Sequence, residues 1–485
     1  MINFFFRTYG CQANVADSQA LAKYLTELGC REVHTEADSD LAIINTCAIR
    51  DKAEQKLYSY LGEQAPLKKQ KPYMAFGVIG CVASYRKDEI YKRFDHVKFV
   101  YGARDEFPEL QAYLNDLVVQ LETTKQLYES NKSFTTHQDR DVKKVVKLKG
   151  LLTRPRFGGA KINLKKKNVS YTDDGLIVKT NEVKKSFINI MTGCNKYCAY
   201  CIVPFTRGRE ISFPMTEIVE KVKKDVEQGA KEVTLIGQNV NSYVDPETGS
   251  LFHVLLEKVA QIPGEFWIRY VSPHPQDMTV ELFDIMAQYR PKVTAWVHFP
   301  LQSGSNKILK DMRRNYTIET FLKQVGWLRD RMPDAVISTD IIVGFPGETE
   351  EEFEQTMQAL EAIKFDWMYS FIFSKRKYTR AFAMEDDCPQ AIKTRRLMKL
   401  QKREKEISLE RNSRWIGKTL KCLVEKRLEN GKLLARTEGN VRVAFDGTDD
   451  CIGQFKDLLI ESVTPAQLRA VLLEAQKVHE IQMAA

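Results

Sequence analysis

Three times in the first 81 residues a short apolar run ends in a cysteine: FFFRTYG before Cys11, LAIINT before Cys47 and AFGVIG before Cys81. Helical patterns separate the runs. Val15 to Leu28 carries Leu21, Leu25 and Leu28 on one face, a second helix starts at Asp51, and others flank the run VKFVYG. Strands alternating with helices pack as a parallel sheet, because each helix returns the chain to the same end of the next strand.

Residues 1–120 are therefore expected to form an α/β domain with a flavodoxin-like open parallel sheet. Ligands of such sheets bind beyond the carboxyl ends of the strands. Cysteines 36 and 34 residues apart thus converge on one edge. Three unrelated buried thiols would not fall at equivalent strand ends, and the better reading is an iron–sulfur cluster with three protein ligands and one exchangeable position. Cys30, Cys388, Cys422 and Cys451 lack such placement and read as ordinary thiols.

A chain of 485 residues has room for about three domains. The start, MINFFFRTYGC, has no basic segment and too short an apolar stretch for a secretory signal, and no run approaches a membrane span. A cytoplasmic protein without membrane contact is expected, in which ten cysteines are ligand candidates before they are disulfides. Lys and Arg number 73 against 64 Asp and Glu, a net +9 that mildly favours a polyanionic partner.

Periodicity fades over residues 121–183, where positions 142–167 hold ten Lys or Arg and no Asp or Glu. This stretch reads as a basic linker or insertion, either solvated or touching RNA. A second alternation follows. SFINIMTG, EVTLIGQ, FWIRYVS, VTAWVHFP, VISTDIIVG and FDWMYSFIF are predicted strands, with helices between them such as Thr216 to Gly229. Six βα units make a partial (βα)6 TIM-type barrel over residues 184–412, open at its side, with its chemistry at the strand carboxyl ends. A charged helix, about Gln390 to Ser413, leads to residues 413–478, where four short runs (TLKCLVEKRL, KLLARTEG, VRVAFD and FKDLLIESV), separated by Asn-Gly and Asp-Gly turns, predict a small all-β barrel.

Cys194, Cys198 and Cys201 form CxxxCxxC just after the first barrel strand. Three thiolates in one loop can hold three irons of a cubane and leave the fourth open. Structural zinc would want a fourth protein ligand, which no nearby Cys or His supplies. The spacing, with Tyr200 before the third cysteine, resembles the radical S-adenosylmethionine (SAM) superfamily, whose open iron binds the amino and carboxylate groups of SAM. In that resemblance Gly237, Gln238 and Asn239 stand where a Gly-Gly-Glu holds the methionine amino group. Ile342, Gly344, Gly347 and Glu348 fit most of an adenine-binding GxIxGxxGE, with Asp340 at its first glycine.

TYGCQANVADS, INTCAIRDKAEQK, GCVA, GCNKYCAYCIVPFTRGRE, GQNVNSY, PLQSGS, RRNYT, DIIVGFPGETEEEF and a terminal TRAM-like barrel (LLARTEGNVRVAFDG) together resemble the radical SAM methylthiotransferases over nearly the whole chain. Residues 1–120 then correspond to the methylthiotransferase domain with its auxiliary cluster, 184–412 to the radical SAM core and 413–478 to the TRAM domain. Where the family commonly has S-x-R-x-G-T-x-A, the chain has Ser374 to Ala381 with Tyr378 for the glycine.

The resemblance implies two 4Fe-4S clusters, on Cys194, Cys198 and Cys201 and on Cys11, Cys47 and Cys81, and two SAM molecules per turnover. One SAM would be cleaved by an electron to methionine and a 5'-deoxyadenosyl radical. The other would methylate a sulfur carried by the auxiliary cluster. It implies methylthiolation of carbon two of N6-(dimethylallyl)adenosine next to the anticodon of tRNA, with an electron donor of flavodoxin or ferredoxin type, an iron–sulfur carrier and a monomeric enzyme.

Tyr200, Asn239, Ser272, Gln302, Ser303 and Arg314 are candidate cofactor or substrate contacts at strand ends. Arg436 and Arg442, with Phe445, are candidate RNA contacts, Phe445 reading equally as core. The basic face of Arg395, Arg396, Lys399, Lys402 and Arg403 faces either phosphates or solvent. Two other readings stay open here: a methylthiotransferase for threonylcarbamoyl-adenosine tRNA or a ribosomal protein, and a non-catalytic iron–sulfur RNA-binding protein.

Overall fold

The computed structural model describes residues 1–48, 51–103, 107–134 and 184–473. The basic stretch 142–167 lies outside them. Two compact units emerge, Met1–Leu176 together with Phe205–Gly208, and Ile177–Pro204 together with Arg209–Ala485.

In the first unit β1 (Asn3–Tyr9), α1 (Gln12–Glu27), β2 (Arg31–Glu32), β3 (Leu41–Thr46), α2 (Asp51–Glu63), α3 (Ala65–Gln70), β4 (Ala75–Gly80), α4 (Ala83–Arg93), β5 (Val97–Gly102) and α5 (Phe107–Phe134) follow one another. The sheet order is β2-β1-β3-β4-β5, all parallel. That order reverses direction at β1 and β3, the crevice where open α/β sheets bind ligands. The central strands β3 and β4 are buried along their whole length, as expected of strands covered on both faces. On one face Phe4, Leu41, Ile43, Ala75 and Phe99 pack against Leu21 and Leu25 of α1 and Leu110, Leu114, Leu117 and Leu121 of α5.

Helix α5 corrects the sequence reading, which placed the start of the linker at 121. The helix runs fourteen residues past Gln120. Leu121 continues its apolar stripe, Lys125 pairs with buried Asp40 at 2.8 Å, and the Tyr128 hydroxyl donates to the Gln70 carbonyl at 3.0 Å. The stripe fades in hydropathy because its later contacts are polar.

The second unit contains six parallel strands, β6 (Lys185–Asn189), β9 (Glu232–Ile236), β10 (Trp267–Tyr270), β11 (Trp296–His298), β12 (Val336–Val343) and β13 (Trp367–Ile372), with a small antiparallel pair, β7 (Met191–Thr192) and β8 (Ile211–Ser212). Two three-stranded halves, β10-β9-β6 and β11-β12-β13, meet where Ile268 bridges Val293. Between strands run α6 (Met215–Glu227), α7 (Phe252–Ala260), α8 (Val280–Gln288), α9 (Asn306–Asp311), α10 (Ile318–Arg331) and α11 (Glu350–Ile363). They cover the strands with one continuous apolar core. The partial (βα)6 barrel is as expected.

The long helix α12 (Gln390–Ser413) leads into β14 (Thr419–Arg427), β15 (Leu433–Thr437), β16 (Arg442–Phe445), β17 (Phe455–Val463) and β18 (Leu468–Leu472), closed in the order β14-β15-β16-β18-β17. Strand β18 has no counterpart in the sequence reading, which found four runs. This barrel shares a core with the (βα)6 strands: Trp296 and Val336 pack with Trp415, Val424, Val443 and Phe445. A Cβ at Gly439 would lie 2.4 Å from Val336, so only glycine allows this approach. Arg269 adds hydrogen bonds to the carbonyls of Glu438 (2.8 Å) and Thr437 (3.1 Å).

Candidate functional site

The first unit brings Cys11, Cys47 and Cys81 to the carboxyl ends of β1, β3 and β4, at the switch point. Cys47 and Cys81 are buried and Cys11 is partly so. Asparagines not singled out in the sequence hold the edge together. The Asn14 amide oxygen accepts from the Cys11 thiol at 3.3 Å, and its nitrogen donates to Asn45 at 2.8 Å. Asn45 in turn donates to the Asn14 carbonyl at 2.7 Å and to Ser18 at 3.0 Å. Gly80, with φ +95°, must be glycine: a Cβ would stand 2.3 Å from the Asn45 side chain. A hydrogen bond from Cys47 takes the Cys11 thiol down to about 6, against its burial and helped by the charge of Arg207.

The second unit holds the other three cysteines in the loop after β6 and β7. Arg314, 4% exposed, reaches Cys198 Sγ at 3.4 Å from Nη1 and donates to the Pro300 carbonyl at 2.9 Å from Nη2. His274 Nε2 lies 3.9 Å from the same sulfur, and burial beside Arg314 and Lys196 keeps that imidazole neutral. Burial pushes the Cys194 and Cys201 thiols up to about 12.

The remaining predicted residues fall into two groups. Asn239 is buried; its nitrogen donates to Asp277 at 3.0 Å, while its oxygen has no partner among the described residues. Ser272 and Gln302 take left-handed conformations at φ +61° and +71° just beyond β10 and β11. Such strain in non-glycine residues gathers at functional sites. Tyr200 and Ile342 pack with Phe345 and Phe373.

Others are occupied by the scaffold. Gln238 accepts the Gly193 amide at 2.5 Å, and a Cβ at Gly237 would collide with Met191. Ser303 turns to Thr356 (3.3 Å) and the Ser305 amide (3.2 Å). Glu348 accepts the Gly344 amide at 2.7 Å and pairs with Arg396 at 2.8 Å, and the Gly347 amide donates to Asp387 at 2.9 Å. Glu348 and its glycines therefore shape a turn.

The α12 side chains are paired too: Arg395 with Glu350, Arg396 with Glu348, Lys399 with Glu354 and Arg403 with Glu361. Four of the five cations singled out on this face thus lie against carboxylates. On the barrel Arg442 is exposed opposite Arg436, which is tied to Glu425 at 3.0 Å and Asn440 at 2.6 Å. Phe445 is fully buried core.

Among the described residues no three Cys, His, Asp or Glu converge on a point that holds one metal ion. A cubane does not ask for that, since each cysteine binds a different iron at a separate corner. Both sites also keep a buried polar atom without a partner among the described residues, Thr46 Oγ1 beside Cys47 and Asn239 Oδ1 beyond β9. Buried polar groups are rarely left so unless something else meets them. The residues present fit two clusters and a polar ligand at the second.

A six-stranded open barrel with a three-cysteine loop after its first strand defines a radical SAM enzyme. Residues 188–360 match the radical SAM superfamily, 3–102 the uncharacterized protein family UPF0004 and 414–473 the TRAM domain. The fold is similar to that of a radical S-adenosylmethionine methyltransferase from Kitasatospora setae, with TM-score 0.50, 12% identity, and coverage of 79% of this chain and 75% of that one.

The chain is 34% identical to the tRNA-2-methylthio-N(6)-dimethylallyladenosine synthase of Carboxydothermus hydrogenoformans, across 97% of this chain and 99% of the relative. It is 37% identical to those of Thermodesulfovibrio yellowstonii (90% and 91% covered) and Acetivibrio thermocellus (94% and 88%). The chain belongs to the family of tRNA-2-methylthio-N(6)-dimethylallyladenosine synthases.

Proposed function

We infer that this enzyme installs a methylthio group on carbon two of N6-(dimethylallyl)adenosine next to the anticodon of tRNA. Family membership over the full length of both chains carries the inference. Cys194, Cys198 and Cys201 would hold the 4Fe-4S cluster that meets SAM, and Cys11, Cys47 and Cys81 the auxiliary one. When bound, these groups supply one-electron cleavage of SAM and a sulfur atom that a second SAM methylates. Such chemistry is needed because carbon two of adenine is neither acidic nor electrophilic enough for acid–base catalysis.

The chain's own residues set the conditions for that chemistry. Arg314 places an N–H and a positive charge on Cys198, which favours the reduced cluster. Asn239 offers a buried acceptor oxygen that suits the methionine ammonium of SAM. Neutral His274 and buried Tyr316 complete a dry wall around Arg314. Exposed Arg442 on the barrel supplies a phosphate contact for tRNA.

A flavodoxin- or ferredoxin-type donor, an iron–sulfur carrier and a monomeric, cytoplasmic state complete the reading. Among the described residues no helix is long and apolar enough to cross a membrane. Anaerobic turnover with a dimethylallylated anticodon stem-loop, SAM and dithionite, read by nucleoside mass spectrometry, tests it. Product with the tRNA substrate supports the inference, and SAM cleavage without methylthiolated nucleoside overturns it.

A further inference from the structure

Phe205–Gly208 follows the cysteine loop of the (βα)6 barrel in sequence but belongs to the first unit. Thr206 is fully buried there, its carbonyl held by the Ser84 hydroxyl at 3.1 Å. The next residue, Arg207, has a side chain only 8% exposed. Its Nη2 pairs with Asp17 on α1 at 2.7 Å, the one ion pair or hydrogen bond it makes among the described residues. The guanidinium lies close enough to Cys11 and Cys81 to act on both electrostatically.

An arginine held in place by a single carboxylate keeps most of its five donors for a second acceptor, and an anion is the acceptor that suits a guanidinium best. Three ligating thiolates give the site a negative charge, and a fourth anion at the exchangeable iron adds to it. A guanidinium fork within electrostatic reach of two of the three cysteines offsets that charge and gives the incoming anion a direction.

We propose that Arg207, fixed by Asp17, is the anion-binding group of the auxiliary site and receives a small sulfur anion, hydrosulfide or methanethiolate. The proposal rests on the reading of Cys11, Cys47 and Cys81 as cluster ligands. Arg207 acts as a positioning residue: it holds the anion and takes no part in the radical step. Nothing is oxidised or reduced in this binding.

The test uses the full chain with Cys194, Cys198 and Cys201 replaced by Ala, reconstituted anaerobically so that only the auxiliary site carries iron. Sodium hydrosulfide and, separately, sodium methanethiolate are titrated in and followed by electron paramagnetic resonance of the reduced cluster. Arg207→Gln should keep about four irons and bind both anions about tenfold more weakly. Arg207→Lys should recover part of the affinity. An unequal loss for the two anions identifies which of them the fork was built for.

Unchanged affinity in Arg207→Gln overturns the proposal. So does loss of the iron itself, which would make Arg207 a support for the cluster. If circular dichroism shows Arg207→Gln unfolded, Arg207→Lys and Asp17→Asn decide: wild-type affinity in both overturns the proposal, and weakened affinity with full iron upholds it. Absence of iron before Arg207 is altered strikes instead at the reading of the three cysteines.

Discussion

Arg314 Nη1 lies 3.4 Å from Cys198 Sγ, and the same guanidinium sits over the Tyr316 ring and is buried on all sides. A donor and a positive charge on a cluster sulfur stabilise the added electron. Arg314→Gln is expected to lower the midpoint potential of the cluster on Cys198, on the order of 50 mV, and to slow reductive SAM cleavage. A spectroelectrochemical titration of wild type and variant checks the shift. An unchanged potential would mean that Arg314 only supports the Pro300 turn.

The auxiliary cysteines should separate two activities. Cys47→Ala is expected to remove about half of the roughly eight irons of the reconstituted protein and abolish methylthiolation, while SAM cleavage stays measurable. Iron analysis beside 5'-deoxyadenosine chromatography reads both. A variant that methylthiolates at the wild-type rate would remove this site from the reaction.

The Arg269–Glu232 pair, 2.7 Å apart and buried, joins the (βα)6 strands to the barrel through the carbonyls of Thr437 and Glu438. Arg269→Ala leaves Glu232 buried with Lys185 as its ion-pair partner and should cost about 3–5 kcal/mol. Burial would raise the Glu232 carboxyl, but Arg269 and Lys185 overcome it and hold the group at about 2. A carboxyl lowered on folding stabilises above its unfolded value near 4.5 and loses that contribution as pH falls toward 2. Chemical denaturation from pH 6 to 3 should therefore show a steeper loss in wild type than in Glu232→Gln.

Because Trp296, Val336 and Trp415 share one core, cutting the chain after Ser413 would expose them. RNA recognition by the barrel is better tested by point change. Arg442→Ala should weaken binding of a tRNA anticodon stem-loop and lower the salt slope by about one. Fluorescence anisotropy across a salt series measures it, and an unchanged slope would place the contacts elsewhere.

Tyr378 has φ +70° and is exposed, at the position where the family motif has glycine. An L residue held there costs about 1–2 kcal/mol. Tyr378→Gly should raise the melting temperature by roughly 2 °C. A lower melting temperature would show that the ring's contacts outweigh the backbone strain.

The strand ends were legible because period and punctuation agree: each cysteine follows an apolar run at the point where a helix begins. What escaped was held by partners distant in sequence. Asn14 and Asn45 are 31 residues apart and meet only once β1 and β3 pair. Arg207 and Asp17 are 190 residues apart. The α12 basic face looked available because its acidic partners lie some 45 residues upstream on α11 and the turn before it. Glu348 and Ser303 matched motif positions, yet their side chains serve Arg396 and Thr356. Short β18 gave too little pattern to stand out, and its pairing with β16 and β17 makes it a strand.

Nucleoside mass spectrometry of bulk tRNA from cells lacking this chain, complemented with wild type or with Cys47→Ala, bears most directly on the central claim. The expected result is loss of 2-methylthio-N6-dimethylallyladenosine with accumulation of N6-dimethylallyladenosine, restored by wild type and not by Cys47→Ala. Unchanged 2-methylthio-N6-dimethylallyladenosine in the deleted strain would contradict the assignment.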